Sequence, residues 1–399
     1  MTDHSKTRHF PQGSSSESIA NHADHDANLL KKIAPIVQRS IANGFYPGAV
    51  ILASQSNEIV YTGVFGSQSL IPAQTPMLLD TIFDIASLTK VVVTTTAIMQ
   101  LIEKNKLSLE APIADYWPDF AKNGKEAITI KDCLIHTSGL QATIASHQLN
   151  EILPEELRIP DLFEWQGKQA ALEKVIATKP CQPRHSSFLY SDINFITLGH
   201  LIEIASGEKL EIYANEHIFK PLGMQHSYFS PPAELKQQIA PTQIMNGELR
   251  WGEVHDPTAS LMGGVAGMAG VFSTAHDLGI FAQTILNKGR INSTSFLLKP
   301  ETVSAMTSVQ TPSNLPEKRG LGWDVNSPFS CHGNFSASSF GHTGWTGASM
   351  WIDPEHESWL LILASRTHPT PASKNKLVAD RNMIANLISS YVSNPQLTS

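Results

Sequence analysis

Between residues 27 and 43, Leu29, Leu30, Ile33, Ile36, Val37 and Ile41 recur at helical spacing, and Gly44 follows. That pattern predicts an amphipathic helix closed by glycine. PGAVILASQSNEIVYTGVFG (47–66) then sets two apolar runs on either side of Ser56-Asn57, the outline of a β-hairpin. The run KVVVTTTAIMQLIEK (90–104) is rich in β-branched residues that suit a strand, but its length favours a buried helix. DINFITLGHLIEIASG (192–207) predicts a helix ended by Gly207, and IYANEHIFKPLGM (212–224) one stopped by Pro221. TAHDLGIFAQTILNKG (274–289) predicts another, with Thr274 as N-cap and Gly289 at its end. From about residue 319 the pattern turns to strands, LGWDV, HTGWTGASMWID and SWLLILAS, before a last amphipathic helix over about 374–392.

Strand-rich segments therefore lie at both ends of the chain, and residues 88–260 read as mostly helical with irregular loops. If the ends share a sheet, the fold class is α/β (α+β): an antiparallel sheet flanked by helices, with an inserted mostly helical lobe. The division expected is a disordered tail over 1–26, a sheet domain from 27–86 plus 261–399, and a helical lobe over 87–260. A cleft between such units is where a small-molecule site is expected.

Composition narrows the function. Among 399 residues, 41% are hydrophobic and 16% charged, as in a globular protein, and the formal net charge of -7 argues against non-specific nucleic-acid or anionic-membrane binding. Cys133, Cys181 and Cys331 are far apart and form no C-x-x-C pair, so neither a disulfide framework nor a zinc site is signalled. The polar first 26 residues carry His4, His9, His22 and His25 but no apolar core of signal-peptide length, and no stretch reaches the roughly 20 apolar residues of a membrane span. Read with Met1 as the true start, the expectation is a cytoplasmic protein.

Candidate chemistry begins at Ser87-Leu88-Thr89-Lys90, an S-x-x-K at the start of a helix. Three residues make about one helical turn, so hydroxyl and amine share a face. Burial and the positive helix N-terminus disfavour a protonated lysine, which predicts a neutral amine able to take the serine proton. The same pattern recurs at Ser206/Lys209 and Ser373/Lys376, where helix capping explains the serines; only Ser87 precedes a long apolar helix. Tyr190-Ser191-Asp192 stands just before a helix: Tyr190 either shares protons with Ser87 and Lys90 or packs in the core, and Ser191 or Asp192 caps the helix. Tyr213 lies within a helix and is read as core. His342-Thr343-Gly344 leads into a strand whose edge offers backbone donors, with the N–H of Trp345 as a second oxyanion donor beside that of Ser87. His342 binds a substrate carboxylate or assists proton transfer.

Taken together, DIASLTK, LIHTSGL (134–140), YSDINFITLG (190–199), GGVAGMAGVFSTAHDL (263–278) and FGHTGWTG (340–347) resemble the serine β-lactamase and penicillin-binding-protein superfamily, class C-like hydrolases in particular, over nearly the whole chain after residue 27. The resemblance implies an acyl-enzyme on Ser87, with Lys90 and Tyr190 moving the proton and with no metal or organic cofactor. The substrate implied is a small amide or ester, either a peptidoglycan fragment or a β-lactam. The alternative is a penicillin-binding sensor with slow turnover, or a class C-type β-lactamase. Three positions depart from the family pattern. His342 replaces a lysine and so removes a fixed cation, Asp192 replaces an asparagine, and PRHSSFLY replaces the Pro-Gly before the tyrosine. GEVHDPTAS (252–260) is similar to a subset tied to cell-wall turnover; His255 and Asp256 either line the cleft or organise their loop. His136 is read as structural.

Overall fold

The computed structural model describes residues 27–144, 167–245, 247–327, 334–371 and 373–393. The expected tail over 1–26 and Cys331 lie outside the described residues.

The predicted hairpin forms β1 (Gly48–Gln55) and β2 (Glu58–Ser69). Its two-residue turn places Ser56 at φ 49° and Asn57 at φ 68°, the positive values that match the twist of a tight hairpin. β1 pairs antiparallel with β11 (Ser358–Ala364), so opposite ends of the chain share one sheet. The complete sheet has seven antiparallel strands in the order β3-β2-β1-β11-β10-β9-β8. Here β3 is Thr75–Pro76, β8 Asp324–Val325, β9 Phe340–Thr343 and β10 Ser349–Asp353.

Alternation along β1 divides the core. Ala49, Ile51 and Ala53 face the first helix (Ala27–Ala42) and the last (Lys374–Ser393), packing with Ile33, Val37, Ile384 and Ile388. Val50 and Leu52 face the opposite way, into the larger core with Leu361, Leu363 and Phe281. Period-two side chains can serve both faces only because both are covered. Each of the valine, leucine and isoleucine side chains among them contributes about 1.5–3 kcal/mol by its burial.

Several local expectations change in detail. The apolar helix after Ser87 is π-helical over Lys90–Thr95 and α-helical over Thr96–Glu103. The Thr96 hydroxyl donates to the Val91 carbonyl oxygen (3.0 Å) and that of Thr94 to the Gly267 carbonyl (2.6 Å), so side chains compete with the ordinary ladder. HTGWTGASMWID is not one strand: Gly344–Gly347 turns the chain, with the Gly344 N–H donating to Ala348 O (2.7 Å) and Gly347 at φ 127°. Pro221 does not stop its helix; it stands at the start of a final short segment, Lys220–Leu222, and Gly223 at φ 73° ends it. The chain stays helical from Leu210 through Leu222, and Gly223 tolerates the left-handed exit. Tyr213 is buried in the core, and the Ser206 hydroxyl accepts from the Glu208 N–H at 3.0 Å.

Candidate active site

The short strand β4 (Phe83–Asp84) pairs with β7 (Phe272–Ser273) and delivers the chain to Ser87. The buried Asp84 carboxylate accepts the N–H groups of Ala86 (2.8 Å) and His255 (2.6 Å). Burial pushes this carboxyl up to about 6, against the pull of those two donors. Ala86 is left-handed at φ 46°, a conformation that costs a non-glycine residue free energy and persists only when its surroundings enforce it. Asp84 supplies that enforcement one residue before the nucleophile candidate.

The strand turn is clamped to the same place. Thr346 Oγ1 donates to Asp84 O (2.6 Å), and a Cβ on Gly344 would lie 2.4 Å from Ile85 O. Only glycine permits this approach. No main-chain carbonyl among the described residues accepts the N–H of Ser87 or of Trp345.

Lys90 is fully buried, and its ammonium donates to Ser87 Oγ (3.0 Å) and to Met268 O (3.0 Å). Asp192 Oδ1 stands 2.7 Å from the same nitrogen, and the Tyr190 ring centroid is 5.0 Å away. Burial pulls the lysine toward neutrality, but Asp192 and Tyr190 together outweigh it and hold the group above the ordinary lysine value. The expected neutral amine is thus corrected: Lys90 is an ammonium, because a carboxylate faces it. Asp192 is not a cap either. Ser191 occupies the N-cap position of the Asp192–Ser206 helix without a side-chain cap bond, its hydroxyl donating instead to Gln141 O (2.6 Å).

Tyr190 is held through His136. The His136 ring lies 4.5 Å from the tyrosine ring, and its Nδ1 accepts the Ser191 N–H at 3.1 Å. His136 is itself at φ 58° and fully buried. Burial, then the charges of Arg319 and Lys90, keep it neutral well below the usual histidine range.

Ser87, Tyr190, His342, Thr343, Gly344 and Trp345 all line one cavity of about 740 Å³. His342 lies on β9, its ring 6.1 Å from that of Tyr190, with Nδ1 against Thr343 O at 2.9 Å. Burial and the charges of Arg319 and Lys90 hold it neutral, well below the usual histidine value. Trp345 is 54% exposed.

His255 is placed elsewhere. It is buried, its N–H is taken by Asp84, and its Nε2 meets Gln243 Oε1 at 2.8 Å; it does not line the cavity. Burial and the nearby arginines Arg250 and Arg366 push it down to about 4. Asp256 caps the Pro257–Leu261 helix by accepting the Ala259 N–H (2.8 Å). Burial and the charge of Asp192 push Asp256 up to about 6, so it lies within electrostatic reach of the Lys90–Asp192 pair. Asp84 opens DIASLTK and Asp256 stands in GEVHDPTAS, but only the three-dimensional contacts reveal what each one holds. Among the described residues, no cluster of histidine, cysteine, aspartate or glutamate could hold a metal ion, and no helix is long and apolar enough to cross a membrane.

A family model for beta-lactamase matches residues 33–382. The chain belongs to the beta-lactamase family. It is a serine hydrolase of mixed α/β fold, as its relatives' activities agree. A putative D-alanyl-D-alanine carboxypeptidase of Escherichia coli (strain K12) is 31% identical over 393 residues, covering 90% of this chain and 87% of that protein. An N-acetylmuramyl-L-alanine amidase of Bacillus subtilis (strain 168) is 29% identical, covering 88% and 83% respectively. Among solved structures, EstCE1, a hydrolase with promiscuous acyltransferase activity, superposes with a TM-score of 0.71 at 20% identity, covering 91% of this hydrolase and 99% of that chain. A penicillin-binding protein homologue from Caulobacter crescentus gives the same TM-score and identity, covering 91% and 97%.

Proposed function

We propose that this hydrolase cleaves a small amide or ester through an acyl-enzyme on Ser87, with peptidoglycan-derived fragments as the substrate class. The observation carrying the proposal is the 3.0 Å hydrogen bond from Lys90 to Ser87 Oγ at the wall of a cavity that Tyr190 also lines. Its relatives named as a carboxypeptidase and an amidase support an amide of cell-wall origin.

An ammonium cannot accept the serine proton. In this reading Tyr190 enters as a phenolate facing the Lys90 ammonium; its oxygen takes the proton and becomes a phenol as Ser87 Oγ bonds to the carbonyl carbon. Lys90 steadies the charge that develops on both oxygens, and Asp192 keeps Lys90 charged. The carbonyl oxygen becomes an oxyanion facing the N–H groups of Ser87 and Trp345. When the C–N or C–O bond breaks, Tyr190 returns the proton to the departing amine or alcohol. Water then attacks the Ser87 ester, giving its proton to Tyr190, and the serine leaves with that proton.

A panel of short acyl 4-nitrophenyl esters, D-alanyl peptides and muropeptides tests the proposal. Ser87→Ala should abolish turnover of whichever compounds the wild type cleaves; undiminished turnover would overturn the assignment.

A further inference from the structure

The segment PRHSSFLY, which leads to Tyr190, contains a left-handed residue that is not glycine: His185 stands at φ 63°. A β-carbon makes that region costly, whereas glycine enters it freely. Two neighbouring side chains of the segment end on one carboxylate. His185 Nε2 lies 2.5 Å from Asp132 Oδ1, and Arg184 Nε lies 2.8 Å from Asp132 Oδ2. Because a carboxylate only accepts, Nε2 carries the ring hydrogen. Arg184 also donates through Nη1 to Ala127 O at 2.7 Å. Asp132 is buried in the helix Ile130–Leu134, where it accepts the Thr129 N–H (2.9 Å) while its own N–H donates to Thr129 Oγ1 (3.2 Å). A buried carboxylate locked by its own helix cap is a fixed anchor for the chain tied to it.

What this anchor fixes is the path of residues 186–190. The His185 N–H donates to Thr137 O (2.9 Å), the Leu189 N–H to His136 O (3.0 Å) and the Ser191 N–H to His136 Nδ1 (3.1 Å). The segment thus runs alongside His136 and Thr137, and the His136 ring supports that of Tyr190 at 4.5 Å. A rotation about φ of His185 leaves its N–H on Thr137 and swings everything that follows. Leu189 and Ser191 then lose their partners, and Tyr190 leaves Lys90, whose ammonium is 5.0 Å from its ring centroid. Phe188, which lines the cavity with Tyr190, moves with it. Asp132, Arg184 and His185 do not line the cavity themselves.

We propose that Asp132 is a positioning residue for Tyr190: through His185, with Arg184 as a second tether, it enforces the left-handed turn at 185 and so keeps Tyr190 beside Lys90 and Ser87. The proposal rests on the reading of Tyr190 as the proton carrier. The bond from His185 to Asp132 offsets the cost that the β-carbon brings to the turn. A glycine at 185 needs no such bond, and that difference separates a positioning role from a general contribution to stability.

The test compares His185→Ala, His185→Gly and Asp132→Asn. Each is read by turnover of a short acyl 4-nitrophenyl ester and by amide hydrogen exchange of a peptide spanning residues 186–192. The His185 side chain is 44% exposed, so its variants should fold. His185→Ala keeps the β-carbon and loses the bond: kcat should fall about tenfold or more, KM should stay within about twofold, and the peptide should exchange faster. His185→Gly loses bond and β-carbon together, so kcat and exchange should return to within about threefold of wild type. Asp132→Asn should lower kcat about tenfold in wild type but only about threefold in His185→Gly, because the two changes act through one turn. Glycine as slow as alanine would overturn the proposal, as would His185→Ala with wild-type kcat and exchange. Asp132→Asn that melts earlier but keeps wild-type kcat would overturn it too. Faster exchange in His185→Ala with unchanged kcat would defeat the proton-transfer reading of Tyr190 and leave the tie itself standing. If wild type cleaves no ester, the hydrolytic reading fails alone, and exchange still decides the tie: faster in alanine only supports it, equal in all three overturns it.

Discussion

Asp192 Oδ1 stands 2.7 Å from Lys90 Nζ, and this contact sets the charge of the lysine beside Ser87. The net effect of Asp192 and Tyr190 is to hold the ammonium above its ordinary value despite complete burial. A group whose native value is raised contributes stability that is present below the unfolded value and lost as pH rises through the native one. Asp192→Asn removes the largest opposing influence. Its thermal stability should fall earlier on the alkaline side, and the basic limb of kcat/KM should move to lower pH. Asp192→Ala should cost about 3 kcal/mol or more in urea denaturation, since it strands a buried charge. A basic limb that does not move in Asp192→Asn would show that Lys90 does not act as a cation.

Tyr190→Phe keeps the ring packed on His136, 4.5 Å away, and deletes only the oxygen assigned to the proton. The expected outcome is a loss in kcat of about 100-fold or more with little change in melting temperature. Rates within a few-fold of wild type would assign proton transfer to another group.

Gly344 sits where a Cβ would lie 2.4 Å from Ile85 O, one residue from left-handed Ala86. Gly344→Ala must push the turn carrying Trp345 away from Ser87. The predicted result is a fall in kcat of about 100-fold or more, the scale of losing one oxyanion donor, with KM less affected. Unchanged kcat would argue that the Trp345 N–H plays no part.

His255 and Asp256 are neighbours with opposite pH behaviour. His255 is pushed down to about 4, so the native state binds fewer protons than the unfolded chain between that value and the ordinary histidine value of about 6.5. Stability therefore rises with pH through this window. Asp256 is pushed up to about 6, so the native state binds more protons above the ordinary aspartate value, and stability falls as pH rises toward 6. Urea denaturation across this range should show the stability difference between wild type and His255→Gln growing with pH, and that between wild type and Asp256→Asn shrinking. Each change should be on the order of 2 kcal/mol. Parallel curves for all three proteins would contradict the burial argument.

Much of this site is readable from local spacing. Ser87 and Lys90 are one helical turn apart, and a long apolar run after them forces the lysine inward. The continuous apolar runs of 49–53 and 359–364 likewise foretell a sheet covered on both faces. What spacing cannot convey is which distant polar groups meet. Asp192 looks like a cap from its place before a helix, yet its partner is a lysine a hundred residues earlier in the chain. β4 is two residues long and too short to leave a periodic signal, although its Asp84 holds the N–H of Ala86, the residue before Ser87.

The central claim is that Ser87 Oγ becomes acylated. Mass spectrometry of the intact protein, quenched during turnover of a slow acyl ester and then mapped by peptide digestion, tests it most directly. The account predicts a single acyl group on the peptide containing Ser87, absent in Ser87→Ala and accumulating when deacylation is slowed. An adduct on a different residue, or full turnover by Ser87→Ala with no adduct at all, would contradict it.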